Sequence, residues 1–306
     1  MVRYLAKRLG ASLAILLGVS LVTFILTFLV PADPVRLIAG RTATPATVES
    51  IRHELGLDRP LPLQYLHYLG NLARGDLGRS YLQRTEVTEL IGSRLPATLL
   101  LMAGAIACEL LIGLPAGIFA ATRRGRPIDR GVMVLSFAGV SAPPFIVGLL
   151  LLYLFAYRLG WLPLSGYGGL SHLVLPALTL GIAGGGWYSR MMRSSMIEVL
   201  RLDYVRTARS KGLGETGIVL RHALRNAILP VIAMVGLDIG FFMSGAVVVE
   251  SVFGWPGIGQ LAWQAIQQVD IPIIMGVTLT SALAIIIGNL LADLVAPVID
   301  PRIRTR

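Results

Sequence analysis

Charge is scarce in this chain. Charged residues make up 14% of the 306 positions, against about a quarter in an average soluble domain. Lysine is nearly absent, with only Lys7 and Lys211. No G-x-x-x-x-G-K stretch exists, so the chain has no phosphate-cradling loop of its own. Cys108 is the only cysteine, which excludes an internal disulfide; set in an apolar run, it reads as a small packing residue. The four histidines, His53, His67, His172 and His222, have no ligand-like spacing and no cysteine cluster beside them. Neither a metal site nor a catalytic constellation is expected.

Apolar residues are abundant instead, at 55% with a mean hydropathy of +0.72. They recur in runs of about 20 residues, the length that crosses a bilayer as a helix. The pattern predicts an all-α, polytopic membrane protein with six spans near 9–30, 97–120, 131–156, 173–194, 226–249 and 273–297. The first run follows Arg3, Lys7 and Arg8 but is longer than a signal-peptide core and lacks an A-x-A site, so it reads as an uncleaved span.

A formal charge of +10 raises the question of nucleic acid. The basic residues cluster just beyond the apolar runs, however, where membrane topology explains them better. With the N-terminus in the cytoplasm, that side receives Arg3, Lys7 and Arg8, then "RRGRPIDR", the arginines of 202–230, and Arg302, Arg304 and Arg306. The short opposite loops, 157–172 and 250–272, hold only Arg158. Both termini are therefore expected to be cytoplasmic.

The chain divides into a first segment and span (1–30), a segment at 31–96, and a core at 97–306. The middle segment is expected to form a helical extracytoplasmic insertion. "TPATVESIRHELGL" opens with a Thr44-Pro45 start signal, and "LPLQYLHYLGNLARG" repeats the helical spacing, ending at Gly70 or Gly75. A packing lid and a docking or gate element are both open to it.

One stretch is too polar to cross a membrane and too patterned to be slack: "LDYVRTARSKGLGETGIVLRHALRNAILP", residues 202–230. "MIEVLRLDYVRTARSKG" predicts an amphipathic helix with Val199, Leu202, Val205 and Ala208 on one face. Gly212 suits its left-handed C-terminal position. A second short helix leads to Pro230 and the fifth span. The residues alone leave open a helix lying among lipid headgroups and a rigid helix offered to a soluble partner.

"DYVRTARSKGL" followed by "RHALRNAILP" resembles the cytoplasmic coupling loop of binding-protein-dependent ABC importer permeases, in their dipeptide/oligopeptide/nickel branch. Arg206-Thr207-Ala208 stands where many other importers have Glu-Ala-Ala, a departure usual in this branch, and the glycine is kept as Gly212. Further resemblances follow in order along the chain: "VPADPVRLIAG" (30–40), "LGLDRPLPLQYLHYLGNLARGDLGRSY" (55–81), "LPATLLL" (95–101), "SHLVLPALTLG" (171–181), "VVVESVFGWPGIGQL" (247–261) and "NLLADLVAPVIDPRIR" (289–304). The long segment after the first span is similar to the B-type member of the paired permeases.

The resemblance implies a type I ABC importer permease fold in the cytoplasmic (inner) membrane of a prokaryote. Its partners would be a homologous C-type permease, two ATP-binding subunits and an extracytoplasmic solute-binding protein, in contact with membrane lipid. ATP and Mg would be bound by the ATPase subunits, with no cofactor on this chain. Tyr204, Arg206, Thr207, Ala208, Arg209, Lys211, Gly212 and Leu213, within a coupling loop at 196–225, would dock in a groove of an ATPase subunit, with Arg206 and Arg209 at its acidic rim. The loop at 250–272, with Phe253, Trp255, Pro256 and Gly257, would form an outer gate; an aromatic turn at the membrane interface is the alternative.

From spacing, Gly236, Gly240 and Ser244, and Gly113 with Gly117, let helices approach closely. Asp238, a costly charge in an apolar span, is a pathway candidate or a member of a structural ion pair. Glu109 and Asp293 are weaker candidates for the same roles, and Glu250 is expected to be a polar residue at the pathway mouth. An intramembrane enzyme would need paired carboxylates, a His-Glu metal motif or a Ser/Lys pair at membrane depth, and none is evident. A channel or receptor working without ATP would have no use for the coupling-like stretch. The resemblance favours a di- or oligopeptide or a glutathione-like peptide as cargo, with nickel or a metallophore complex as runner-up.

Overall fold

The computed structural model describes residues 2–29, 34–40, 43–54, 56–243 and 246–299. Among them secondary structure is helical, apart from one isolated bridge between Arg79 and Glu86. α1 (Val2–Leu29) is followed by three short helices, α2 (Pro34–Ala39), α3 (Pro45–Glu54) and α4 (Leu61–Leu72). Thr44 caps α3 as its position suggests, its Oγ1 accepting the Thr47 amide at 3.3 Å. α4 runs through Gly70 and stops before Gly75.

α5 (Val87–Thr122) begins well ahead of "LPATLLL", so the second membrane helix extends into what reads from sequence as the 31–96 insertion. Val87 and Ile91 explain the extension: both are buried against Ile273 and Val277, which rewards helix continuing across Pro96. The intervening loop is held by Asp270, whose buried carboxylate accepts Ser80 Oγ at 2.5 Å and the Tyr81 and Leu82 amides at 3.3 Å each.

The third span is not a straight helix. α6 (Pro127–Ser141) and α7 (Pro144–Leu151), which continues as a π-helical turn over Leu152–Arg158, meet at 101°. Pro143-Pro144 is the reason. A residue before proline avoids the helical region, and Ala142 is extended at φ −74°, ψ 124°. Pro144 then starts a new helix at its first position, where its missing N–H costs nothing.

α8 (Leu170–Val199) runs parallel to α5. After it come α9 (Asp203–Ser210), α10 (Glu215–Gly217), a π-helical stretch (Ile218–Ala223) and α11 (Leu224–Ala227). α12 (Leu229–Met243) is bent by 49° from the segment before it, just ahead of Pro230. The fifth span thus stops at Met243, and α13 (Val247–Phe253) and α14 (Ile258–Gln268) are separate pieces. α15 (Ile271–Ile299) closes the bundle, antiparallel to α12. Among the described residues four helices are long and apolar enough to cross a membrane, and up to six crossings result if each bent pair counts as one.

Two glycine seams hold the bundle. A Cβ at Gly113 would strike Tyr188, and one at Gly117 would meet Ser189 O at 2.6 Å and Met192 Cβ at 2.7 Å, so α5 and α8 touch backbone to backbone. Gly240 gives Ile285 the same close approach between α12 and α15. Gly236 is buried in that contact, whereas Ser244 lies outside the described residues. Small residues at helix contacts are how membrane helices gain packing without a hydrophobic driving force.

At the end of the bundle where α5 meets α6, Asp129 and Arg193 form a bidentate pair at 2.6 and 2.9 Å, and Asp129 also accepts the Gly125 amide at 2.8 Å. Asp129→Ala leaves Arg193 without its partner. It is expected to destabilise the purified protein by on the order of 3 kcal/mol, read as a lower thermal midpoint. A midpoint equal to wild type would contradict this role.

Candidate functional site

The stretch at 196–212 does not form one amphipathic helix. α8 ends at Val199, the chain turns through Leu200–Leu202, and α9 starts afresh at Asp203. Leu202 occupies the N-cap and is exposed rather than sharing the apolar face. A helix of eight residues is not stable in water by itself, and α9 is held by a small core of its own, made by Val205, Ala208 and Ile218 with Leu200 against them. Tyr204 ties it to the next segment, donating to His222 O at 3.3 Å and accepting from Asn226 Nδ2 at 2.7 Å. Gly212 adopts φ +76°, the left-handed conformation that ends the helix.

The opposite face of α9 is open. Tyr204, Arg206, Thr207, Arg209, Lys211, Gly212 and Leu213 are all exposed, and Ala208 is buried beneath them. The two arginines expected to face a partner already have internal ones. Arg209 Nε donates to Glu215 at 2.7 Å, and Arg206 lies 3.5 Å from Asp203. The Arg209 guanidinium holds the Glu215 carboxyl below its usual range. That pair bridges the two sides of the Gly212 turn, so Arg209 shapes the loop as well as presenting charge.

The α13–α14 turn departs from its sequence expectation. Trp255 is not an interface anchor: it is 0% exposed, its Nε1 donates to Ala97 O at 2.9 Å, and Tyr167 packs edge-on against it. Glu250 is likewise 0% exposed and so is no mouth residue. Its Oε2 accepts the Gln260 amide at 2.7 Å, capping the first turn of α14, where a carboxylate suits the helix dipole. Gly257 leaves room for that carboxylate, which a Cβ would overlap. Phe253 is buried against Gly148 of α7, Pro256 is half-buried, and Gly254 makes the turn at φ +60°. The turn is thus a packed unit rather than a loose loop.

Among the described residues Asp238 has no arginine partner, so no ion pair of the kind weighed from sequence is formed there. Tyr188 Oη of α8 donates to its Oδ2, and the Glu109 carboxyl of α5 lies beside this pair. Glu109 is 3% exposed, and its Oε2 has no donor among the described residues. Sequence reasoning missed Tyr188; the only signal was a lone tyrosine after "GGGW". Asp293 falls where side chains are not described. Beside α3 and α4, a cavity of about 860 Å³ is lined by His53, His67, Arg59, Tyr68 and Arg79.

Residues 113–305, from Gly113 on α5 through α9 and beyond, match the family model described as binding-protein-dependent transport system inner membrane component. The chain belongs to this family. A companion model for the N-terminal part of such membrane components covers residues 1–102 of the same inner membrane component. The glutathione transport system permease protein GsiC of Escherichia coli strain K12 is 42% identical over 304 residues, 99% of each chain. A relative from Brucella suis, named as a peptide permease protein, is 44% identical over 317 residues, again covering 99% of each. Among solved structures, an inward-facing MetNI methionine ABC transporter chain matches with a TM-score of 0.56 and 16% identity, covering 69% of this inner membrane component and 96% of that chain. The fold is thus that of an ABC transporter membrane subunit, and the chain is a transport component rather than an enzyme.

Proposed function

We propose that this chain is the B-type membrane subunit of an importer that carries a small peptide, glutathione included, across the cytoplasmic membrane. A C-type permease completes the pathway, and the exposed apolar face of α12, with Leu237 and Phe241 each 65% exposed, fits a helix contact of that kind. An extracytoplasmic binding protein delivers the peptide to the side of α2–α4 and the α13–α14 turn. Two ATPase subunits bind ATP and Mg on the opposite, cytoplasmic side, where both termini lie.

The observation that carries this is α9. An exposed helix with its own core, braced by Arg209–Glu215 and set directly ahead of the Pro230 bend, has the form of a handle on α12. ATPase closure pressing on that handle reaches α12 through the rigid stretch 215–227. Full-length similarity to glutathione and peptide permeases supports the cargo class.

The decisive experiment reconstitutes the four kinds of subunit in proteoliposomes with ATP inside. ATP-dependent accumulation of labelled glutathione or a tripeptide, requiring the binding protein, is expected. Purification that never recovers an ATPase subunit, or uptake indifferent to ATP, would overturn the proposal.

A further inference from the structure

Glu109, Tyr188 and Asp238 meet deep in the bundle. They lie about 20, 16 and 14 Å along their helices from the ends nearest α9, at 1.5 Å per residue. Those distances set the three within the membrane-spanning part of the bundle, away from the helix ends.

Two carboxyl groups are gathered there, Asp238 on Tyr188 and Glu109 against Gly184 one turn away, and no cationic side chain pairs with either among the described residues. Tyr188 supplies one donor, and it is spent on Asp238 Oδ2. Glu109 Oε2 is fully enclosed and has no donor among the described residues. The site is built around that carboxylate: a Cβ at Gly184 would overlap it. An acidic pair at membrane depth is expensive unless it meets positive charge. Asp238 is the half-buried member, so the pair is reached through it.

We infer that Asp238 and Glu109 form a mid-membrane docking point for the primary ammonium group of the cargo, with Tyr188 holding the Asp238 carboxylate toward it. An ammonium carries three donors and one charge, which matches a cluster rich in acceptors and short of donors. The inference rests on the proposed peptide importer and adds the group on the cargo that the membrane subunit recognises.

The test uses the complete importer in detergent without its binding protein, so that protein's selectivity does not enter. Trialanine at roughly 20 mM is expected to raise the thermal midpoint by about 2 °C. N-acetyl-trialanine and an equal concentration of sodium chloride are expected to leave it unchanged. Glu109→Gln and Asp238→Asn, each confirmed as an intact complex by gel filtration, are expected to abolish the trialanine shift. If Asp238→Asn does not assemble, Glu109→Gln decides alone. An equal shift with sodium chloride or the acetylated peptide overturns the inference, as does a shift that survives in the variants or no shift at all. Each of these leaves ATP-dependent peptide uptake by the wild type standing, so this inference fails separately from the importer assignment.

Discussion

Val205→Asp is expected to abolish uptake while leaving the chain inserted in the membrane. Val205 is 0% exposed, packed with Ala208 and Ile218 in the only apolar core that α9 has. A carboxylate there is buried with no partner, at a cost of roughly 3 kcal/mol or more. Eight residues of helix have too little intrinsic stability to absorb that, so α9 comes away from the stretch it is braced on. The membrane helices do not depend on this small core and remain packed through their glycine seams. The variant is therefore expected to reach the membrane at wild-type levels, to lose the ATPase subunits on purification, and to transport at less than a tenth of the wild-type rate. Arg206→Ala, on the exposed face, tests the surface rather than the core and is expected to weaken ATPase association less. Wild-type recovery of the ATPase subunits with Val205→Asp would show that α9 is not the handle.

Gly117→Val is expected to have the larger structural effect. A Cβ at this position already meets Ser189 O and Met192 Cβ at 2.6 and 2.7 Å, distances at which something must move. Two of the three nearest atoms belong to the α8 backbone, so no side-chain rotation relieves the clash. Overpacking of this kind costs about 1–3 kcal/mol where the surroundings yield, and a branched side chain against a fixed backbone lies at the upper end. The expected outcome is a large loss of folded protein in the membrane, with Gly117→Ala intermediate. Gly92, which has nothing near its Cβ position, is the control, and Gly92→Ala is expected to accumulate normally. Equal yields for Gly117→Val and wild type would mean that α5 and α8 are not locked as described.

The α9 turn was legible in the residues because Gly212 and the buried valine are local signals. The helix boundaries were less so. Pro143-Pro144 reads plainly as a breaker once a 101° bend is seen, but hydropathy runs straight through it, since a bent pair is as apolar as a straight span. Trp255 and Glu250 were misplaced for a related reason. Sequence position beside a membrane span says nothing of whether the turn folds back into the bundle, and here the turn does so through the Ala97 carbonyl. The carboxyl cluster needs three helices to be brought together, and no spacing within one segment announces Tyr188 as the partner of Asp238.

The two glycine seams carry a mechanical corollary. α5 is welded to α8 and α12 to α15, so each pair travels as one slab. The Tyr188–Asp238 contact is stitched across the gap between the slabs, with Glu109 enclosed beside it. This contact ties the two slabs to each other partway along their length, where glycine packing does not.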